Sequence, residues 1–138
     1  MKPQIFKAYD IRGKYPTEVN EKSISEITRC LGQYFKLKTK NSRLKTKIVI
    51  GRDIRLSSPK LYRAAISQLK SKNLKLKTIE AGLVTTPMLY FLVNYFKADV
   101  GIIVTASHNP KNYNGLKVVG KRAIPISGKE IFRIINNR

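Results

Sequence analysis

The sequence predicts an α/β protein: a single domain of three layers, α/β/α, built on a doubly wound and mostly parallel sheet. Short β-branched runs alternate along the chain with segments whose apolar residues recur at helical spacing, as is typical of a sheet with helices on both faces. The nearly continuous apolar run at residues 100–104 indicates a strand covered on both sides. With 138 residues and 42% apolar content, the chain can bury one core, so we expect one domain over residues 1–138.

The first half of the chain predicts two helices separated by a strand. After an extended entry at residues 4–6 and a turn at Gly13, apolar residues at positions 24, 27, 31, 34 and 35 have helical spacing. Residues 47–53 form a β-branched run that ends in polar residues, which predicts a strand. Ser58 and Pro59 then indicate the start of a helix that reaches about Lys72, with the serine as N-cap and the proline in the first turn.

The second half repeats this alternation. Residues 74–81 predict a third strand, after which Thr86 and Pro87 repeat the cap-and-proline signal before a helix that reaches Phe96. Residues 99–105 predict a fourth strand, and residues 116–119 predict a further short one. Ser127 and Glu130 have capping-box spacing, so a final helix is expected after them.

Charge is the strongest compositional feature. A net charge of +20 would attract phosphates, nucleic acid or an acidic protein surface. Half of the residues at positions 36–47 are basic, yet no aromatic residues are interleaved to stack on bases, so a nucleic-acid partner is disfavoured. A lysine-rich solvated surface explains the same run. The single cysteine, Cys30, cannot form an internal disulfide, and no apolar run could span a bilayer, which favours a cytoplasmic location without a membrane partner.

The loop after the most apolar strand is the best candidate for chemistry. Ligands of open α/β sheets bind at the carboxyl ends of strands, and residues 106–115 leave such an end carrying Ser107, His108 and Asn109. A serine on a tight loop can accept a phosphoryl group, although the same residues also form ordinary polar loops. His108 could orient a phosphate or cap the loop. No nucleophile elbow, dinucleotide-binding motif or P-loop occurs, which disfavours a hydrolase and a nucleotide-binding domain.

Five short motifs occur in order along nearly the whole chain. They are Tyr9-Asp10-Ile11-Arg12-Gly13, Gly51-Arg52-Asp53, Thr85-Thr86-Pro87, Thr105-Ala106-Ser107-His108-Asn109-Pro110 and Asn114-Gly115-Leu116-Lys117. This ordered set resembles the α-D-phosphohexomutase family, which includes phosphomannomutases and phosphoglucomutases. The resemblance is to the first domain of that family, and it implies that domains II to IV lie outside these residues.

The resemblance implies roles for individual residues. Ser107 would carry the phosphoryl group, with His108 helping to hold it, while Arg12 and Lys117 would serve in proton transfer and charge stabilisation. Cationic groups around spreading negative charge are what phosphoryl transfer requires. Five further residues are expected to bind phosphate or support the loops: Tyr9, Asp10, Asn109, Asn114 and Gly115.

The resemblance also implies hexose phosphates as substrates, with phosphate moved between the C1 and C6 oxygens through a bisphosphate. Mg²⁺ would be held by the phosphoryl group of Ser107 and by the carboxylates of an Asp-Gly-Asp-x-Asp-Arg loop in the second domain. The chain contains no such loop, and its aspartates, Asp10, Asp53 and Asp99, are far apart. We therefore expect the remaining domains of a parent enzyme as partners and no mutase activity from the chain alone. The alternative is a degenerate, non-catalytic basic domain that binds nucleic acid or a protein.

Overall fold

A computed structural model describes residues 1–39 and 44–137, so Lys40 and Arg43 of the predicted basic run lie outside the described residues. Over the described ranges the chain forms six strands and four α-helices. In order they are β1 (Ile11–Lys14), α1 (Glu21–Lys38), β2 (Lys47–Arg52), α2 (Ser58–Leu69), β3 (Lys77–Leu83), α3 (Thr86–Tyr95), β4 (Val100–Val104), β5 (Tyr113–Val119), β6 (Pro125–Ile126) and α4 (Gly128–Asn136).

The strands form one mixed sheet in the order β1-β5-β4-β2-β3, with β6 paired to β5. Strand β2 is parallel to β3 and β4, whereas β5 is antiparallel to β1, β4 and β6. The predicted α/β class is confirmed, but the sheet is mixed where a mostly parallel one was predicted. The reason is the connection from β4 to β5, residues 105–112, which contains no helix. A parallel crossover needs about a dozen residues or more, so this connection is too short to make one.

Each face of the sheet covers a separate apolar core, which confirms the three layers. On one face, buried residues of β2 and β4 such as Ile50 and Ile102 pack with residues of α1, α2 and α4. On the other face, Val49 and Ile103 pack with Leu89 and other residues of α3. Neighbouring residues of one strand thus lie in different cores, as the twofold alternation of side chains along a strand requires.

The predicted helix starts are found, two of them shifted by one residue, although no side-chain hydrogen bond caps α2. The N-cap of α2 is Ser57 rather than the predicted Ser58, and the N-cap of α3 is Thr85 rather than Thr86. Thr85 accepts a hydrogen bond from the Met88 amide at 3.2 Å. The hydroxyl of Ser58 instead contacts Asp53 and Asn114, so the tertiary contacts of this serine override its capping preference. Ser127 caps α4 as predicted.

The N-terminal segment differs most from expectation. Pro3–Ile5 is a 3₁₀-helix rather than an extended entry, because a proline in the first turn favours a helical start. Gly13 lies inside β1 rather than in a turn, and a Cβ there would crowd Glu18, Val19 and Ile5. The glycine is therefore needed for close packing.

Helix α2 ends at Leu69, and β3 begins at Lys77, each within a few residues of its predicted limit.

No helix in the described part of the chain combines the length and the apolar character needed to cross a bilayer.

Candidate active site

A cleft lies where the three parallel strands end. Asp53 follows β2, Thr85 follows β3 and Thr105 follows β4, and all three line one open cavity of about 1140 Å³. Parallel strands present their carboxyl ends at one edge, which is where ligands of such sheets bind. Four of the predicted site residues also line this cavity: Ser107, His108, Asn109 and Lys117.

Ser107 is exposed at the wall of the cleft. Its φ of 54° places it in the left-handed region, which is unfavourable for a residue with a side chain and is maintained only where the surroundings fix it. Hydrogen bonds fix both of its peptide groups: its amide donates to Thr105 Oγ1 at 3.0 Å, and its carbonyl accepts from Arg55 Nη2 at 2.9 Å. The serine hydroxyl is therefore presented on a rigid turn.

The carboxylate of Asp53 organises the residues behind this turn. Its Oδ2 accepts from Thr105 Oγ1 at 2.7 Å and pairs with Arg55 Nε at 3.2 Å. Its Oδ1 accepts from the Arg55 amide at 3.0 Å and from Ser58 Oγ. Both carboxylate oxygens are thus satisfied by the protein, so the role of Asp53 is structural.

Arg55 is the important residue that the sequence did not reveal. Its guanidinium donates to four backbone carbonyls of the loop that contains Ser107, at distances of 2.6–3.1 Å. The side chain is only 12% exposed. In a chain with 28 basic residues, nothing in the local pattern separates it from a surface arginine. The one available signal was its position two residues after Asp53, at the end of a strand.

Asn109, Asn114 and Gly115 are placed to support the loops. Asn114 is fully buried, and its amide donates to Ser57 Oγ at 2.7 Å and to Ser58 Oγ at 2.9 Å. Asn109 donates to the Ala106 carbonyl at 2.8 Å. Gly115 lies opposite Arg12 in the sheet, where a Cβ would overlap the Ile11 backbone. Of the two roles predicted for these residues, the contacts favour loop support over phosphate binding.

Arg12 and Lys117 share one face of the sheet. Arg12 is opposite Gly115, and Lys117 is two residues further along β5, so the strand period places both side chains on the same side. Arg12 Nε lies 2.8 Å from Asp10 Oδ1. Burial raises the pKa of Asp10 above its ordinary value, and the positive charges of Arg12 and Lys117 oppose that rise. The three groups are therefore electrostatically coupled.

The structure does not bring every predicted site residue into the cleft. Lys117 lines it, but Tyr9, Asp10 and Arg12 are not among the residues that do. Tyr9 is 70% exposed. His108 is exposed, and its ring makes no hydrogen bond with any other residue that the structure describes. The ring therefore does not cap the loop through any of these residues, and its use in phosphate orientation stays a prediction.

The described residues do not offer a site for Mg²⁺. Among them, no group of three or more histidine, cysteine, aspartate or glutamate side chains could hold a metal ion. Asp53 has both oxygens engaged, and Asp10 is paired with Arg12. The carboxylate ligands that a hard cation requires are thus not supplied by this part of the chain.

Comparison with known proteins identifies the family. Residues 3–138 match the sequence model of phosphoglucomutase/phosphomannomutase, alpha/beta/alpha domain I. The chain belongs to this family. A phosphomannomutase of Vibrio cholerae is 42% identical over 123 residues, which are 89% of this chain and 26% of the relative. A phosphomannomutase of Methanocaldococcus jannaschii is 40% identical over 123 residues, 89% of this chain and 25% of the relative.

A phosphoglucomutase/phosphomannomutase solved structure agrees with this assignment. A family protein from Burkholderia thailandensis superposes with a TM-score of 0.82 at 31% identity, covering 100% of this chain and 31% of that one. The resemblance inferred from the five motifs is therefore confirmed, as is the assignment to domain I. The chain spans about a quarter of the length of the curated relatives that it matches. The roles of individual site residues remain predictions.

Proposed function

We propose that this chain is the phosphoserine-bearing first domain of a phosphomannomutase/phosphoglucomutase, with Ser107 Oγ as the atom that carries the phosphoryl group. The observation that supports this most directly is the position of Ser107. Its exposed side chain sits on a fixed left-handed turn beside a cleft that Lys117 also lines, within the segment that matches the family.

The proposed reaction moves a phosphoryl group between the C1 and C6 oxygens of a hexose phosphate. When phosphorylated Ser107 donates, a sugar hydroxyl loses its proton and forms a bond to phosphorus, while the Oγ–P bond breaks. The proton that the hydroxyl loses is passed to Ser107 Oγ by way of Lys117, which lines the cleft and for which the family resemblance implies a role in proton transfer. The bisphosphate then reorients, and its other phosphoryl group returns to Ser107 by the reverse of this step. Lys117 offsets the negative charge that spreads over the transferring oxygens, and His108 helps to hold these oxygens. Arg12, which does not line the cleft, adds positive charge from the same face of the sheet.

Mg²⁺ belongs to this proposal only through the phosphoryl group of Ser107, because its carboxylate ligands would have to come from outside the described residues. When bound, the ion would neutralise phosphoryl charge. The partners of the chain are then hexose phosphates and the further domains of a mutase, and its location is cytoplasmic. Because the carboxylate ligands of Mg²⁺ would have to come from outside the described residues, we expect no mutase turnover by this chain alone.

The test is phosphoryl transfer to Ser107. The chain is mixed with Mg²⁺, glucose 1,6-bisphosphate and a Vibrio cholerae phosphomannomutase that lacks its own matching segment, and intact mass is measured. A chimera with residues 3–138 joined to the same remainder gives the covalently linked version. We expect one phosphoryl group per chain, located on Ser107 by fragmentation.

Two serine variants make this test specific. Ser107→Ala should remain unphosphorylated, whereas Ser67→Ala, at an exposed position of α2, should behave as the wild type. Absence of phosphate from wild-type Ser107 in both the mixture and the chimera would refute the proposal. Sustained turnover of glucose 1-phosphate by the chain alone would refute the expectation that its site is incomplete.

A further inference from the structure

We infer that Arg55 is the positioning residue of Ser107. Its guanidinium binds the carbonyls of the Ser107 loop and thereby leaves the His108 amide free to donate a hydrogen bond to the phosphoryl group. The catalytic part of this inference rests on the function proposed for Ser107. The structural part, which is the control of the loop by Arg55, stands independently of it.

All the donors of Arg55 are used within the protein. A guanidinium has five N–H donors, and here Nε pairs with Asp53 while the other four bonds go to backbone carbonyls. These carbonyls belong to Ser107, Asn109, Pro110 and Tyr113. No donor remains for a ligand, although Arg55 borders the cleft. This distinguishes Arg55 from an arginine that binds a substrate phosphate.

Arg55 binds the carbonyl of Ser107 and Thr105 binds its amide, and both of these side chains are bound to Asp53. Thr105 receives the serine amide and donates to Asp53, while Arg55 binds the serine carbonyl and pairs with Asp53. A left-handed serine persists only if its surroundings determine its conformation. Asp53, Arg55 and Thr105 supply that constraint. Asp53 and Arg55 do so although they lie about fifty residues before the Ser107 loop in the sequence.

The geometry of the peptide bond extends this effect to His108. In a trans peptide the C=O and the following N–H point in opposite directions. Because the Ser107 carbonyl points at Arg55, the His108 amide points away from it. Among the described residues, no acceptor receives this amide. It is therefore a preorganised donor next to Ser107, of the kind that stabilises developing charge on oxygen.

A lysine could not replace this arrangement. Its ammonium is a compact charge with three donors, whereas the planar fork of arginine reaches several acceptors at once. Arg55→Lys therefore preserves the charge and removes the geometry. Arg63 is exposed on α2, so Arg63→Lys and Arg63→Ala are the matched controls.

The first measurement is amide hydrogen exchange by NMR on the chain itself, which requires no activity. In Arg55→Lys we expect the Ser107 amide to exchange at least about tenfold faster, a factor that corresponds to loss of one charge-assisted hydrogen bond. Core amides of β4 should change much less. Both Arg63 variants should match the wild type. Unchanged exchange at Ser107 in Arg55→Lys would overturn the structural part of the inference.

The second measurement is the rate of Ser107 phosphorylation in the chimera as glucose 1,6-bisphosphate is varied. The saturating rate in Arg55→Ala and Arg55→Lys should fall by about 100-fold, which is the effect of a small misplacement of a reacting group. The half-saturating concentration should barely change. Added guanidinium ion should restore part of the lost rate in Arg55→Ala and should leave the wild-type rate of Arg63→Ala unchanged. If Arg55→Ala does not fold, Arg55→Lys decides the result.

The possible failures are distinguishable. A wild-type chimera that never phosphorylates Ser107 refutes the proposed function, and hydrogen exchange still decides whether Arg55 controls the loop. A higher half-saturating concentration at an unchanged rate would make Arg55 a substrate-binding group and overturn the inference. In phosphorylated wild type, the His108 amide resonance should shift downfield, and a resonance that stays in place would remove His108 from the proposal.

Discussion

Replacement of Thr105 by valine removes one hydroxyl that makes two hydrogen bonds. Thr105 Oγ1 donates to Asp53 Oδ2 at 2.7 Å and accepts from the Ser107 amide at 3.0 Å, and the residue is buried. A bond to a charged group contributes about 1.5–3 kcal/mol, and a neutral one contributes about 1 kcal/mol. Because Asp53 retains other donors and is partly exposed, we expect Thr105→Val to lower the free energy of unfolding by about 2–4 kcal/mol.

The matched control is Thr28→Val in α1. Thr28 is fully buried, and its Oγ1 has no hydrogen-bond partner among the described residues. Valine removes this unsatisfied hydroxyl without changing the shape of the side chain, so Thr28→Val should be neutral or stabilising by about 1 kcal/mol. Both variants are compared by urea unfolding, with the denaturant slope as a check on two-state behaviour. A loss below about 0.5 kcal/mol in Thr105→Val would refute the role assigned to this hydroxyl.

Two further predictions concern stability. The Tyr15 hydroxyl donates to Glu21 at 2.7 Å and lowers the pKa of this carboxyl below its ordinary value. The contribution of this bond is present above the ordinary pKa and is lost as pH falls through the lowered pKa. Tyr15→Phe should therefore cost about 0.5–1 kcal/mol at pH 7, after allowance for solvent screening, and progressively less in urea unfolding as the pH falls through the lowered pKa of Glu21. Gly115→Ala should cost about 3 kcal/mol or more, because its Cβ would overlap the Ile11 backbone. A Cβ on Gly120 would make only ordinary van der Waals contacts, with Ile124 and Ile126 at 3.8–3.9 Å, so Gly120→Ala should stay within about 0.5 kcal/mol. Equal thermal midpoints for the two alanine variants would contradict this.

The fold could be predicted from the sequence where burial leaves a periodic trace. Helix α1 was predictable because Ile24, Ile27 and Leu31 occupy one buried stripe, and β4 because every residue in it is buried. The direction of β5 was not predictable in this way. Five of its seven residues are buried, and a mostly buried strand fits either direction. The length of the connection from β4, rather than the apolar pattern, therefore decides that the two strands are antiparallel.

The candidate site was predictable only in part. The position of a loop after a strand placed Ser107 and His108 at the sheet edge, and Lys117 also reaches the same cleft. The supporting contacts were not predictable, because Arg55 and Asp53 meet the Ser107 loop more than fifty residues away in sequence. No local pattern shows which of the basic residues of a strongly cationic chain has its charge buried against backbone carbonyls.

The Arg12 side of the site has its own support, separate from Asp53 and Arg55. The turn before β1 is closed by a hydrogen bond of 2.8 Å from the Lys7 amide to the Asp10 carbonyl, and a Cβ on Gly128 would overlap these same backbone atoms. The start of α4 therefore lies directly against the turn whose Asp10 side chain pairs with Arg12. Lys117 lines the Ser107 cleft, which Asp53 and Arg55 support, and its charge also acts on Asp10, which pairs with Arg12. Lys117 therefore connects the two supported parts of the site.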